Sequence, residues 1–163
     1  MIKSQFKFWA ILPPSLTIAV TWILYIVTSK LLINSTSEPP FFVYIIIPLF
    51  MFTWIWLIFS ELRTKALKIS IEENGVRSSN FLGLGKSKWY GFEELDGLTT
   101  TILPSKYDRY EFLYLIKERK KVVKISQFYH SNYAELKQAL LSKNKDLGFQ
   151  NYSLLGELKE LLQ

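Results

Sequence analysis

Apolar positions in this chain follow two patterns that do not mix. Residues 8–33 and 41–60 are nearly unbroken hydrophobic runs, whereas apolar and polar residues alternate in short bursts from residue 65 onward. A bilayer core needs about 20 apolar residues of helix, and a helix on the surface of a soluble protein keeps a polar face. Both runs meet the first condition and lack the second. The second, FFVYIIIPLFMFTWIWLIFS, carries no charge, and its aromatics Phe41, Phe42, Tyr44, Trp54, Trp56 and Phe59 gather toward its ends as interfacial anchors do. Pro13 and Pro14 interrupt the first run, which places the spanning helix at about 15–33 and leaves residues 3–12 as an interfacial segment along the membrane. A cleavable signal would be shorter and would end at a small-x-small site, which does not follow Val27. Pro39 and Pro40 open the second helix, expected at about 40–61, and the short connector NSTSEPP makes the two antiparallel neighbours.

The alternating part predicts strands. Leu67, Ile69 and Ile71 point one way and Lys68, Ser70 and Glu72 the other. Glu73-Asn74-Gly75 supplies turn chemistry, and residues 76–80 run back as a hairpin. Residues 86–90 and 98–103 have strand composition. Tyr110, Phe112, Tyr114 and Ile116 alternate before a polar turn at 118–120, and residues 121–126 pair back. Six strands without intervening helices predict an antiparallel sheet. A helix follows over 132–142, with Asn132 and Glu135 spaced as a capping box and Tyr133, Leu136 and Leu140 on one face. Leu154, Leu155, Leu158, Leu161 and Leu162 predict a second amphipathic helix at the C-terminus. The resulting divisions are a hairpin (1–63), a β domain with its helix (64–145) and a Leu-rich tail (146–163).

Charge refines the placement. Lys3 and Lys7 precede the hairpin and Arg63, Lys65 and Lys68 follow it, while the connector offers only Glu38 with Lys30 near its edge. That bias predicts both termini on the cytoplasmic side of a bacterial inner membrane. The net charge of +6 comes from scattered residues, which suits a membrane surface better than nucleic acid. Arg63, Lys65 and Lys68 are candidate contacts to anionic lipid, with Arg77, Lys86 and Lys88 as candidate neighbours, although the same charges serve equally as an orientation signal. Phe50 and Trp54, together with Leu154, Leu158 and Leu161, are candidate contacts to a partner helix.

Catalytic chemistry finds little support. Cysteine is absent, which removes disulfides and thiolate nucleophiles, and the single histidine, His130, cannot form a His-based metal site within one chain. His130 is expected at the surface, next to the start of the helix. Gly83-Leu84-Gly85-Lys86-Ser87 contains the GKS of a phosphate loop. Asn80 occupies the position of the required first glycine, however, and Trp89-Tyr90-Gly91-Phe92 follows where an apolar helix should begin. A connection between strands is the expected structure there. Glu72/Glu73 and Glu93/Glu94/Asp96 are expected as solvated turn charges. No enzyme, cofactor, metal, nucleic acid or small-molecule substrate is predicted.

The stretches KALKISIEENGVRSSN, KWYGFEELDGL and YEFLYLIKERKKVVKISQFYHSNYAELKQALL, in that order, resemble the bacterial PH-like domains that follow a transmembrane hairpin, including the YcxB-like group. The resemblance covers residues 65–143 plus the hairpin. It implies a bent antiparallel sheet or barrel closed by a C-terminal helix, in a membrane-associated and non-enzymatic protein. The full PH-like fold has seven strands, one more than the pattern gives. PH domains that read phosphoinositides do so with basic residues at the first hairpin loop, where this chain has Glu72, Glu73 and Asn74, so that ligand is not carried over. The expected function is a membrane-anchored interaction module or accessory subunit, with the bilayer and either a protein partner or another copy of the chain as its contacts. The alternative is an immunity or resistance protein that protects against a bacteriocin or membrane-targeted toxin.

Overall fold

In the computed structural model, described over residues 1–33, 40–103 and 109–153, two long apolar helices carry two small sheets and a short helix. Helix α1 spans Leu12–Ile33, after a 3₁₀ turn at Phe8–Ile11. Helix α2 spans Phe41–Trp56 and continues as π-helical turns through Leu57–Leu62. The uninterrupted helical stretches Phe8–Leu31 and Phe41–Leu62 are both long and apolar enough to cross a membrane, the second being about 33 Å at 1.5 Å per residue. Within those stretches the hydroxyls of Thr17, Thr21, Thr28 and Thr53 each donate to the carbonyl four residues back, so these polar side chains do not create a polar face. α1 starts at Leu12, earlier than the prolines suggested. Pro13 and Pro14 fall in its first turn, where an N–H has no intrahelical acceptor to lose.

The start of the chain joins the first sheet. Strand β1 (Ile2–Lys3) pairs antiparallel with β2 (Lys68–Ile71), Ile2 opposite Ile71. Strand β3 (Gly75–Ser79) pairs with β2 and with β4 (Ser87–Gly91), giving the first sheet in the order β1-β2-β3-β4. The GKS stretch lies in the β3–β4 connection, where Leu82 donates its N–H to the Ala66 carbonyl at 2.8 Å. Strands β5 (Gly97–Leu103), β6 (Tyr110–Lys117), β7 (Lys120–Ser126) and β8 (Asp146–Phe149) form the second sheet in the order β7-β6-β5-β8. Among the described residues all six predicted strands are present, and β1 and β8 are added to them. The sheet is mixed, because β8 runs parallel to β5. Residues 146–149, placed within the Leu-rich tail (146–163), are that strand. Leu154, Leu158 and Leu161 lie outside the described residues.

The core forms where the two sheets meet helix α3 (Tyr133–Leu141). Ile69, Ile71 and Val76 of the first sheet, Leu98, Leu113, Leu115, Val123 and Ile125 of the second, and Leu136 and Leu140 of α3 are all buried there. Leu67, Ile69 and Ile71 point inward as their alternation predicted. Strand β6 is apolar on both faces. Leu113 and Leu115 enter the main core, while Phe112, Tyr114 and Ile116 form a separate cluster on the other face with Leu103. Both alternating sets are apolar, so period two gave the strand without saying which face was inside.

The β6–β7 turn has a conformational cost. Glu118 and Arg119 take φ of 52° and 62°, a geometry suited to Asn and Gly, and the Asp96 carboxylate holds it by accepting the Arg119 N–H at 2.8 Å. Replacing Glu118→Asn together with Arg119→Gly is expected to stabilise the domain by about 1 kcal/mol, measured by chemical denaturation in detergent. No change, or a loss, would show that the native side chains offset the backbone cost.

Candidate functional site: a basic cleft at the hairpin exit

The domain grips both legs of the hairpin where they leave the apolar segments. Ahead of α1, Ser4 N–H donates to the Ile69 carbonyl at 2.7 Å, Lys7 N–H to the Tyr129 carbonyl at 2.9 Å, and Ser131 N–H to the Gln5 carbonyl at 2.8 Å. Asn132 closes the same segment. Its carbonyl accepts Gln5 N–H and its amide donates to the Lys3 carbonyl and to Glu135, in place of the predicted bond capping α3. After α2, the Glu61 carboxylate accepts the Tyr129 hydroxyl and the Lys65 ammonium, both at 2.7 Å. Burial, then the Glu61 charge, pushes the Tyr129 phenol far above its ordinary value, so it stays a donor. Ala10, Leu62, Ala66 and Tyr129 form a second small core at this junction, with Phe6, Phe81, Leu82 and Phe128 around it.

His130 lies inside the junction and not at the surface. The ring is fully buried, with Nδ1 2.9 Å from the Ser126 carbonyl and Nε2 2.8 Å from the Leu67 carbonyl. It stands against Phe6 at a centroid separation of 5.3 Å. The sequence offered no sign of this, because both partners are backbone carbonyls brought together only by the fold. Burial holds the imidazole below its ordinary value. The two carbonyls oppose that shift, and Lys7 adds to it.

Beside the junction a cleft of about 580 Å³ opens between the edge strands β4 and β7. Lys88 and Tyr90 line it from β4, Ser78 and Asn80 from β3 and its end, and Lys120, Lys121 and Lys124 from β7. Arg63 and Thr64 reach it from the end of the second apolar helix. Five cations and no carboxylate line the cleft among the described residues. Lys121 sits 4.1 Å from the Tyr114 ring centre and Lys124 4.6 Å from that of Phe112, which orders two ammonium groups along the β7 wall. Burial raises the Tyr90 phenol, with Lys117 pulling the other way, so Tyr90 presents a neutral O–H donor. Cations from separate elements, joined by neutral donors, make a site suited to a phosphate or another oxyanion.

Comparisons of the chain with protein-family models, curated proteins and solved structures return no match.

The structure separates the residues singled out by sequence. Arg63 lines the cleft, its guanidinium also 6.0 Å from the Phe59 ring centre. Lys65 is paired with Glu61 and its side chain is only 12% exposed, which leaves it poorly placed to meet lipid. Lys68 is exposed on β2, with its stem against Gly83. Trp54 is used inside the hairpin, its indole N–H donating to the Thr21 hydroxyl at 2.8 Å, so its polar edge is committed to α1 and not to a partner. Phe50 is partly exposed on α2. Of the neighbours suggested for Arg63, Lys88 does line the cleft, whereas Arg77 and Lys86 do not; Lys120, Lys121 and Lys124 were missed, because residues 120–124 approach the others only through the packing of the two sheets.

His130 is the only histidine, so its ring proton resonance can be followed without assignment. The folded state resists its protonation more than the unfolded state does. Its contribution to stability is therefore complete above about pH 6.5 and declines as acidity increases through the lower folded value. The resonance should titrate with a midpoint below 6.5 in the folded chain, and His130→Gln should flatten that part of the pH–stability curve. A midpoint at or above 6.5 would mean that the two carbonyls outweigh burial.

Proposed function

We propose that this chain is a membrane-anchored, non-catalytic binding module. Its hairpin crosses a bacterial inner membrane twice, and its β domain is held at the cytoplasmic face as an accessory subunit that recruits or restrains a protein there. One observation carries the reading: in the most apolar 18-residue window of each stretch, only 17% of the first and none of the second is buried against the rest of the chain. A core helix of a soluble domain would be covered, and an apolar surface of this extent in water would drive aggregation. Lys3, Lys7, Arg63, Lys65 and Lys68 gather at the domain end of the hairpin and Lys30 is near the other, which favours the cytoplasmic side for the domain.

A helix packed against two sheets that share one core supports a PH-like reading of the domain. Binding is favoured over catalysis by the use already made of the ionisable groups. Glu61 holds Lys65 and Tyr129, Glu72 pairs with Arg77, Glu94 with Lys117 and Glu111 with Lys137, and His130 is committed between two carbonyls. A partner would meet the exposed domain or the leucine-rich residues 154–162.

The full chain should remain in the membrane pellet after extraction with alkaline carbonate, and should need detergent to stay monodisperse. Removing residues 151–163 should leave that behaviour unchanged while weakening co-purification of the partner. Release by carbonate would defeat the anchor, and retention of every partner by the shortened chain would take the tail out of the proposal.

A further inference from the structure

We propose that the cleft between β4 and β7 binds the phosphate of an anionic phospholipid headgroup, with Arg63, Lys88 and Lys120 as cationic contacts and Tyr90 as a neutral donor. This rests on the membrane placement proposed above. The chain has 20 basic and 14 acidic residues, so a lining of thirteen residues with five cations and no carboxylate departs sharply from the whole. Three carboxylates near the two sheets are paired elsewhere, Glu72 with Arg77, Glu94 with Lys117 and Glu111 with Lys137. Arg63, Lys88 and Lys120 are exposed and form no ion pair among the described residues. The like charges of Arg63, Lys88 and Lys120 repel one another, and a bound anion relieves that repulsion.

A simpler account exists for part of this arrangement. Lysines on edge strands such as β4 and β7 discourage those edges from pairing with other chains. Edge protection does not require the end of the second apolar helix to contribute Arg63 to the same cleft. Nor does it require Tyr90, Thr64, Ser78 and Asn80 to add neutral polar groups between the cations. Convergence from three separate parts of the chain is what a binding site needs.

Location selects the ligand. Arg63 immediately follows the stretch Phe41–Leu62, whose length of about 33 Å matches a bilayer core, so the guanidinium emerges at the depth of the lipid phosphates. An anionic headgroup is abundant there, and each basic side chain near such a surface strengthens the attraction. A cleft of about 580 Å³ accommodates a phosphate with its glycerol. Arg63 can hold two phosphate oxygens with its planar fork, and Lys88 and Lys120 add point charges from opposite walls.

The test uses the full chain in a neutral detergent, with native mass spectrometry to count retained lipid after adding equal amounts of dioleoyl phosphatidylglycerol and dioleoyl phosphatidylcholine. Retention of the anionic lipid should exceed that of the zwitterionic one by about tenfold or more. Lys88→Glu with Lys120→Glu should abolish the preference, and Lys88→Gln with Lys120→Gln should reduce it in part. Lys86→Glu with Lys145→Glu, the same change in net charge at exposed positions outside the cleft, should preserve it. Matching thermal transitions would establish that the variants fold. Equal retention of the two lipids, or equal loss in the cleft and control variants, would overturn the proposal. Displacement of the lipid by millimolar inorganic phosphate would assign the cleft to a soluble phosphate ester and overturn the lipid assignment. Release of the chain from membranes by alkaline carbonate would remove the placement on which the inference stands, and it is read independently of lipid retention.

Discussion

The constraint on which the rest of this molecule depends is the satisfaction of backbone and side-chain polar groups where the apolar helices end. Inside each helix every amide can bond within its own segment, but the residues just beyond cannot. The domain supplies those partners. Ile69 and Tyr129 carbonyls accept from the leg ahead of α1, Tyr129 bonds the Glu61 carboxylate on the leg after α2, and His130 spans from Ser126 to Leu67. Ala10, Leu62 and Ala66 pack into the same junction. Two legs fixed by so many short bonds leave the domain little freedom to swing relative to the hairpin.

That fixed junction also builds the cleft. Because Arg63 follows the helix directly, anchoring Leu62 and Ala66 delivers its guanidinium beside two sheet edges. The π-helical turns at Leu57–Leu62 belong to the same exit, with Ser60 and Leu62 buried there. The two edges carry lysines of a kind common on exposed strands. Their position opposite each other turns a routine surface feature into a concentrated field. The buried histidine and the exposed cations thus have different physical settings within one region. Desolvation dominates the first, and mutual repulsion governs the second.

Much of the fold was legible along the chain. The two apolar helices, the hairpin at Gly75, the pairing of residues 110–117 with 120–126 and the helix after Asn132 all follow from periodicity and turn chemistry. The errors share a cause. β1 is two residues long and β8 carries leucine and phenylalanine at positions that stay exposed, so neither has a repeating pattern to read. Asn132 and Glu135 have the spacing of a capping box, yet the amide side chain reaches residues 3 and 5, which no local rule could anticipate. For the candidate site, Arg63 was visible as a flanking charge with Lys88 as a candidate neighbour, but their companions on β7 were not.

The sequence alone determined the properties that depend on neighbours along the chain: helix length and apolarity, strand alternation, turn residues, and the collection of positive charge at the ends of the hairpin. Tertiary structure decided which face of β6 is inside, which carboxylate holds Lys65, why His130 is buried, and which lysines share a cleft. The physical reason is range. Periodicity and propensity act over a few residues, whereas burial and electrostatic fields are set by groups that folding brings together from distant parts of the chain.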